Sequence, residues 1–500
     1  MDSLREGEEY LFYGTLTGGF YTRQMDSPQV FRPEEAGTLL PVYPLTQGLS
    51  NKMVSRQVAE VLHQVEQLPD PLAGSGLPRQ YGLMSYSEAL HAVHFPRDWA
   101  AIETGRSRMV FDELLCLTIC FARMRQGRAL RHVAPMQPHP LTAYYQALPY
   151  QLTGAQQRAI AEAIGDMCSG TPMNRLMQGD VGSGKTAVAA ACCYFAFLNG
   201  AQSALMAPTE ILAQQHYHNL APLLERLGMR VALLTGSLSV KKKETLKAAL
   251  AAGELDLCIG THAILTADTE FSRLGLVVTD EQHRFGVQQR AALRQKGQDT
   301  HVLVMSATPI PRTLNMALSG IRDMSTIEEP PHDRQPVQTY VLEHDWEVLA
   351  DAMRRELDRG GQVYYLHNRV ENIESTAGRI RQMLGEDVSI GIAHGKMSES
   401  QLSRVMQDMA DGEIQVLVCT TIIETGVDVS NCNTLIIEDA DKLGLSQLYQ
   451  IRGRVGRSSR RAFAYLTVTK GKALTDVATK RLEAIREFTT FGSGFRIAMR

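Results

Sequence analysis

The chain of 500 residues has almost no net charge: 51 Lys and Arg stand against 54 Asp and Glu, a formal balance of −3. A dedicated nucleic-acid binder is often strongly basic, so composition alone gives that class no support and any such surface has to be local. None of the eight cysteines forms a C-x-x-C pair, and no Cys/His cluster has zinc spacing. That usage reads as a reduced, cytoplasmic chain. Cys116 and Cys120, four apart, are expected to share a helix face as small buried hydrophobes. Long apolar runs are missing too. The longest, Ala187–Leu198, is too short to span a bilayer and reads as a buried helix, so no membrane partner is expected. The opening Met-Asp-Ser-Leu-Arg-Glu-Gly-Glu-Glu is too charged for a signal peptide. No short repeat or low-complexity tract is visible. What remains is ordinary for a globular protein, with 44% hydrophobic and 21% charged residues, and the length suits two or three domains.

The pattern along the chain divides it. Residues 9–21 (EYLFYGTLTGGFY) read as one or two short strands with a Gly-Gly turn, too little for an independent domain. From 51 to 135 apolar residues recur at three- and four-residue spacing, as in SRQVAEVLHQVEQL and FDELLCLTICFARM, which predicts helices. Pro-rich VAPMQPHPLT (133–142) reads as a linker. From about 150, short β-branched or apolar runs (SALMAPT, RVALLTG, LDLCIGTHAI, LGLVVTDE, HVLVMSAT) alternate with helical stretches, the rhythm of a parallel α/β sheet. Polar IEEPPHDRQPVQ (327–338) reads as an interdomain connection, after which the alternation resumes. The expected fold class is α/β, with two consecutive parallel-sheet domains after a mostly helical segment.

GDVGSGKT (179–186) follows the apolar NRLMQ and opens an apolar helix, so it matches G-x-x-x-x-G-K-[ST] in the strand–loop–helix context that the motif needs. Gly179, Gly182 and Gly184 let the backbone wrap an anion, and the amides and helix N-terminus then face the phosphates. Lys185 can reach the β and γ oxygens, and the Thr186 hydroxyl can ligate Mg²⁺. Asp180 and Ser183 complete the expected ATP-binding loop. In LGLVVTDEQH (274–283) an apolar strand delivers two acids at its C-terminal end, where α/β sheets place ligands. Asp280 is the expected Mg²⁺ ligand and Glu281 the group that orients and deprotonates the attacking water. A bare Asp-Glu pair is common on solvated surfaces; the strand behind it and the phosphate loop upstream favour function. In QIRGRVGR (450–457), Arg454 and Arg457 are candidate arginine fingers and Gln450 a further catalytic candidate, whereas Arg452, Arg460 and Arg461 fit a basic patch.

Taken in order, LTGAQ (152–156), GDVGSGKT, APTEILAQQH (207–216), TGS (235–237), GTHAI (260–264), DEQH, MSATPIPRT (305–313), HG (394–395), TTIIETGVDV (420–429) and QIRGRVGR resemble the motif set of superfamily 2 helicases over roughly 150–470. Within that superfamily, LLPVYPLTQGL (39–49), HAVHFP (91–96), FDELL, MNRLMQGDVGSGKT and DEQHRFG resemble the RecG family, helicases that remodel branched DNA. ATPIPRTLNMALSGIRDMSTIEEPP, GGQVYYLHNRVENI and IREFTTFGSGFRIAMR look more like the transcription-repair coupling factors, which push RNA polymerase with a similar motor. The likeness changes near residue 300, and both ends look short of either family. The resemblance implies that Gln156 reads the adenine and that Ser306, Ala307 and Thr308 couple hydrolysis to domain movement. It also implies DNA contacts at Thr209, Thr235, Gly236, Ser237, Thr261, His262, Thr420 and Thr421. Hydroxyls and amides at strand ends can bond phosphate, although a cap or turn role suits any one of these threonines better.

The expected domains are a remnant of an OB-like wedge domain with its linker at 1–50, a helical linker region at 51–140, an ATP-binding domain at 141–325, a helicase C-terminal domain at 335–490, and the start of a translocation motif at 491–500. The expected function is that of an ATP- and Mg²⁺-dependent, monomeric DNA helicase or translocase acting on branched or duplex DNA. RNA polymerase is a further partner if the coupling-factor likeness holds. The alternatives are a P-loop switch, which needs no second α/β domain with GRVGR, an inert fragment, which intact Lys185, Asp280 and Glu281 argue against, and an RNA helicase, for which no residue reports on the 2′-OH.

Overall fold

A computed structural model describes residues 4–18, 22–25, 28–65, 69–129, 132–266, 268–281, 285, 300–307, 322–329, 336–422, 429–456 and 460–487. The chain forms two compact units, Met1–Ala122 and Arg123–Arg500. In the first unit four short strands make two antiparallel pairs. Strand β1 (Leu11–Tyr13) pairs with β4 (Gln29–Phe31), and β2 (Leu16–Thr17) with β3 (Gln24–Met25). The sequence predicts only the first two of these; QVF at 29–31 is too short to stand out.

Helices α1 (Asn51–Val65), α2 (Leu77–Tyr81), α3 (Tyr86–His94) and α4 (Trp99–Ala129) follow, as the apolar spacing predicts. Their anchor is Arg108, fully buried, which donates to both Asp70 carboxylate oxygens (2.6 and 2.9 Å), to Asp112 and to the Met84 carbonyl. A buried guanidinium is tolerable only with this degree of pairing. Cys116 and Cys120 correct an expectation: both are exposed on α4. The inward side of α4 is the one that carries Arg108, and the two cysteines lie off it among exposed Leu114, Leu117 and Ile119.

The second unit holds two parallel sheets, and so two α/β lobes. Its leading segment is no free linker. Val133 and Met136 amides donate to the Gly170 and Met167 carbonyls (3.0 and 3.1 Å), and Gln137 pairs with Asn199, so the Pro-rich stretch is strapped along the first lobe. Helices α5 (Thr142–Ala147) and α6 (Gly154–Met167) lead into β5 (Asn174–Gly179) and α7 (Lys185–Leu198). Then come β6 (Gln202–Met206), α8 (Glu210–Arg226), β7 (Val231–Leu234), α9 (Val240–Ala251), β8 (Leu257–Gly260), β9 (Leu274–Asp280), β10 (His301–Ser306) and β11 (Asp323–Ile327). The sheet order is β11-β5-β10-β9-β6-β8-β7, every pair parallel. The almost wholly buried α7 packs on this sheet at the centre of the largest apolar cluster, as its composition predicts.

The second lobe repeats the plan with β12 (Gln338–Glu343), α10 (Trp346–Asp358), β13 (Gln362–Leu366), α11 (Ile373–Leu384), β14 (Ile390–Ala393), α12 (Glu399–Ala410), β15 (Val416–Cys419), β16 (Cys432–Ile437), α13 (Leu445–Arg452), β17 (Phe463–Val468) and α14 (Asp476–Glu487). Its parallel order is β12-β17-β16-β13-β15-β14. Parallel strands put every C-terminal end on one rim, where such sheets gather their ligand groups. Among the described residues, no helix is long and apolar enough to cross a membrane.

Candidate active site

The loop between β5 and α7 is held in the left-handed region by Gly182 (φ 79°) and Gly184 (φ 83°). A side chain at Gly184 would also strike the Gln156 amide, so only glycine fits there. Gln156 spends both ends of its side chain on scaffolding: Oε1 accepts from the Thr153 amide (2.9 Å) and Nε2 donates to the Ser183 carbonyl (2.8 Å). Lys185 Nζ donates to the Gly179 and Asp180 carbonyls (2.7 and 2.8 Å), contacts that an anion in the loop would compete for. The buried Ser183 hydroxyl finds no partner among the described residues.

Asp280 ends β9 and Glu281 follows it, both at the same rim as the loop because β10 alone separates β9 from β5. Glu281 holds φ 48°, a strained conformation for a side-chain-bearing residue and one that clusters at functional sites. Its amide donates to the Met305 carbonyl (3.0 Å) and its Oε1 accepts from the Ala307 amide (3.1 Å), which ties it to the Ser306–Ala307 segment at the end of β10. Burial and the neighbouring Asp280 charge push the Glu281 carboxyl above the usual range. Burial would raise Asp280 as well, but its hydrogen bond to His216 and the nearby Lys185 and Arg454 charges outweigh it and hold that carboxyl low.

The sequence pattern alone does not single out His216. It sits on α8, buried, with Nε2 3.0 Å from Asp280 Oδ2. From the second lobe, Arg454 follows α13 and lines a cavity of about 630 Å³ together with Gly182, Gly184, Lys185, Thr186, Asp280 and Glu281. Gln450 is buried on α13. Arg457 and Thr308 lie outside the described residues. The glycine cradle, the Ser183 hydroxyl without a partner among the described residues, and Asp280 and Thr186 lining one cavity suit a nucleoside triphosphate with a hard divalent cation.

The expected DNA contacts sit elsewhere on the same rim. Thr209 follows β6, Thr235 to Ser237 follow β7, and Thr261 and His262 follow β8, three neighbouring strands at the far side of the first sheet. Thr420 and Thr421 follow β15 in the second lobe. Their availability differs. Thr209 caps α8, Thr235 and Thr261 are buried, and the Ser237 amide donates to Glu210 (2.8 Å); Gly236, Ser237 and His262 are exposed. A feature passed over in the sequence lies beside them: α9 opens on Lys241, Lys242 and Lys243 with no acid in its first turn. Lysines there oppose the helix dipole, so the signal was three like charges where a helix prefers none.

These elements define a two-lobed P-loop α/β protein in which an arginine of the second lobe lines the same cavity as the glycine-rich loop and the acid pair of the first. The DEAD/DEAH box helicase model matches residues 153–317, and the helicase conserved C-terminal domain model matches 346–459. The transcription-repair-coupling factor of Bacillus subtilis (strain 168) is 52% identical over 355 residues, 71% of this chain and 30% of that protein. That of Staphylococcus haemolyticus (strain JCSC1435) is 48% identical over 359 residues, 72% and 31%. The chain thus spans about 30% of the length of these curated relatives. The solved structure of RecG bound to a three-way DNA junction aligns over 99% of this chain and 67% of that one, at 35% identity and a TM-score of 0.76. The chain belongs to the superfamily 2 helicases and translocases, in the group that includes RecG and the coupling factors.

Proposed function

We propose that this chain is an ATP-driven motor that moves on branched or duplex DNA in repair and recombination, with Mg²⁺ as its cofactor. The observation that carries the reading is the shared cavity, which joins Lys185, Thr186, Asp280 and Glu281 of the first lobe to Arg454 of the second. Asp180, Gly182, Ser183, Gly184 and Lys185 hold the phosphates, Gln156 braces the loop beside the adenine, and Thr186 and Asp280 hold Mg²⁺. When bound, the ion neutralises charge building on the β and γ oxygens. Glu281, raised in proton affinity, accepts the proton of the attacking water. Arg454, with Arg457 and Gln450 of the same motif, completes the site only when the lobes are closed. Glu281 bonded to the Ala307 amide supports a coupling role for Ser306–Thr308. Gly236, Ser237 and His262, with the partly exposed Thr209, Thr420 and Thr421, contact the DNA backbone, and the buried Thr235 and Thr261 hold the turns that present them. We place the chain in the cytoplasm as a monomer; eight cysteines outside any disulfide among the described residues suit a reducing compartment.

A second reading has its own support. Identity of 52% to a transcription-repair-coupling factor favours duplex translocation, with RNA polymerase as a partner. ATP turnover measured without DNA and with single strand, duplex and fork separates the readings. Stimulation by a fork above duplex supports the branched-DNA helicase, and equal stimulation by plain duplex supports the translocase. Glu281→Gln should keep ATP binding and lose ~10²-fold or more in turnover. Near-normal turnover in that variant, or no response to any DNA, would sink the motor.

A further inference from the structure

Among the described residues, a hydrogen bond joins the phosphate loop of the first lobe to α13 of the second. Tyr449 on α13, buried, donates its hydroxyl to Asp180 Oδ2 at 2.6 Å. Asp180 belongs to the phosphate loop, and the two residues are 269 apart in sequence. The tyrosine ring is clamped in place. The Arg452 guanidinium lies over it, 5.1 Å from the centroid, and is itself buried and fixed by donation from Nη1 to the Ile485 carbonyl (2.5 Å). One turn further on, Gly453 comes so close to Val181 that a Cβ there would lie 3.0 Å from its side chain. Arg454 follows directly and enters the cavity.

Asp180 faces both ways. Its carboxylate takes the Tyr449 hydroxyl, and its main-chain carbonyl takes Lys185 Nζ (2.8 Å) and the Ser183 amide (3.1 Å). An anion that draws the Lys185 ammonium away from that carbonyl changes the forces on the Asp180 peptide. The carboxylate on the same residue transmits the change to α13 and so to Arg454. We propose that Tyr449 is a positioning residue that reads the state of the phosphate loop through Asp180 and sets Arg454 for hydrolysis. This inference rests on the ATP-hydrolysis reading above. Tyr449 need not touch nucleotide, so its loss should act on turnover and leave affinity alone.

The test uses the full chain with Tyr449→Phe, which keeps the ring and its stacking partner, together with Asp180→Ala, Asp180→Asn and the Tyr449→Phe/Asp180→Ala double variant. Turnover and the affinity for a fluorescent ATP analogue are measured separately. Tyr449→Phe should lower kcat about tenfold, the kinetic equivalent of one buried hydrogen bond to a charged group, with affinity within about twofold. The double variant should be no slower than the slower single one, because the two groups form one contact. Asp180→Asn keeps an acceptor for the Tyr449 hydroxyl and should lose less turnover than Asp180→Ala. Hydrogen exchange gives a readout that does not need hydrolysis. Adding the analogue should alter exchange across 445–456 in the wild type, while in Tyr449→Phe the change should stay within 174–186. Additive losses, wild-type kcat in Tyr449→Phe, or an unchanged exchange response at 445–456 would overturn the proposal. A wild-type chain without ATPase activity would instead overturn the hydrolysis reading, and the exchange pattern would still decide the contact.

Discussion

At the scale of single residues, His216 has the sharpest consequence. It is buried on α8, and its Nε2 lies 3.0 Å from Asp280 Oδ2, so one oxygen of that carboxylate is engaged. Partners that orient a ligand carboxylate in this way typically contribute 10- to 100-fold in metal affinity. If Asp280 holds Mg²⁺, His216→Ala should raise the Mg²⁺ concentration for half-maximal binding of a fluorescent ATP analogue about tenfold. His216→Gln, which keeps a donor, should recover part of the loss. An unchanged Mg²⁺ titration in His216→Ala would show that the pair is structural packing. His216 also shows where sequence reading stops. The phosphate loop and the acid pair are legible because each motif is written in residues a few positions apart, with its own strand behind it. His216 meets Asp280 only because β6, which feeds α8, lies next to β9 in the sheet, and that order appears nowhere in the linear pattern. Asp180 is legible within its motif, but its contact with Tyr449 is not, because the two residues stand 269 apart in different lobes.

At the scale of elements, β10 carries a pH-sensitive seam. His301 begins the strand, buried, and its Nδ1 accepts the Met173 amide (3.1 Å) just before β5, so the ring is neutral in the fold. Burial pulls its pKa down to about 4, against a smaller opposing pull from Asp166. In the unfolded chain the ring titrates near the ordinary value of 6.5. Below that pH the unfolded state gains a proton that the folded state refuses, so stability is full above 6.5 and falls until the pH nears 4. The loss should reach roughly 3 kcal/mol. His301→Asn keeps an acceptor near the Nδ1 position without a titrating ring. Urea midpoints followed from pH 7.5 to 4.5 should fall less steeply for it than for wild type, and parallel slopes would rule the histidine out. Elements differ in how far their sequences announce them. The apolar α7 and the β-branched strands are plain from composition, whereas β11, with DMSTI, lacks the apolar run of its neighbours and is recognised only as the parallel partner of β5. The exposure of Cys116 and Cys120 is the converse case: four-residue spacing predicts a shared face and cannot say whether anything covers it.

Across the whole second unit, strand order separates two sets of strand-end residues on one rim. In the first lobe the glycine-rich loop, the Asp280–Glu281 pair and Ser306–Ala307 follow β5, β9 and β10, and the strand-end hydroxyls follow β6, β8 and β7. The lysines opening α9 belong to the second group. If that side meets DNA phosphates, affinity should fall with salt in proportion to the contacts made, whatever the base sequence. Replacing Lys241, Lys242 and Lys243 with alanine should then flatten the slope of log affinity against log salt by up to about 3. A slope equal to wild type would place DNA elsewhere. The uniform strand direction has another outcome. With the chemistry gathered on one rim, the turns of the opposite rim are spare mounting points. Gly228, between α8 and β7, has φ 87° and open space around it, and Gly253, between α9 and β8, has φ 74° with only Ser272 at ordinary contact distance. A side chain at that φ would be strained, so a tether or accessory module belongs there as an insertion in the turn, where it would travel with the second unit away from the rim that holds the motifs.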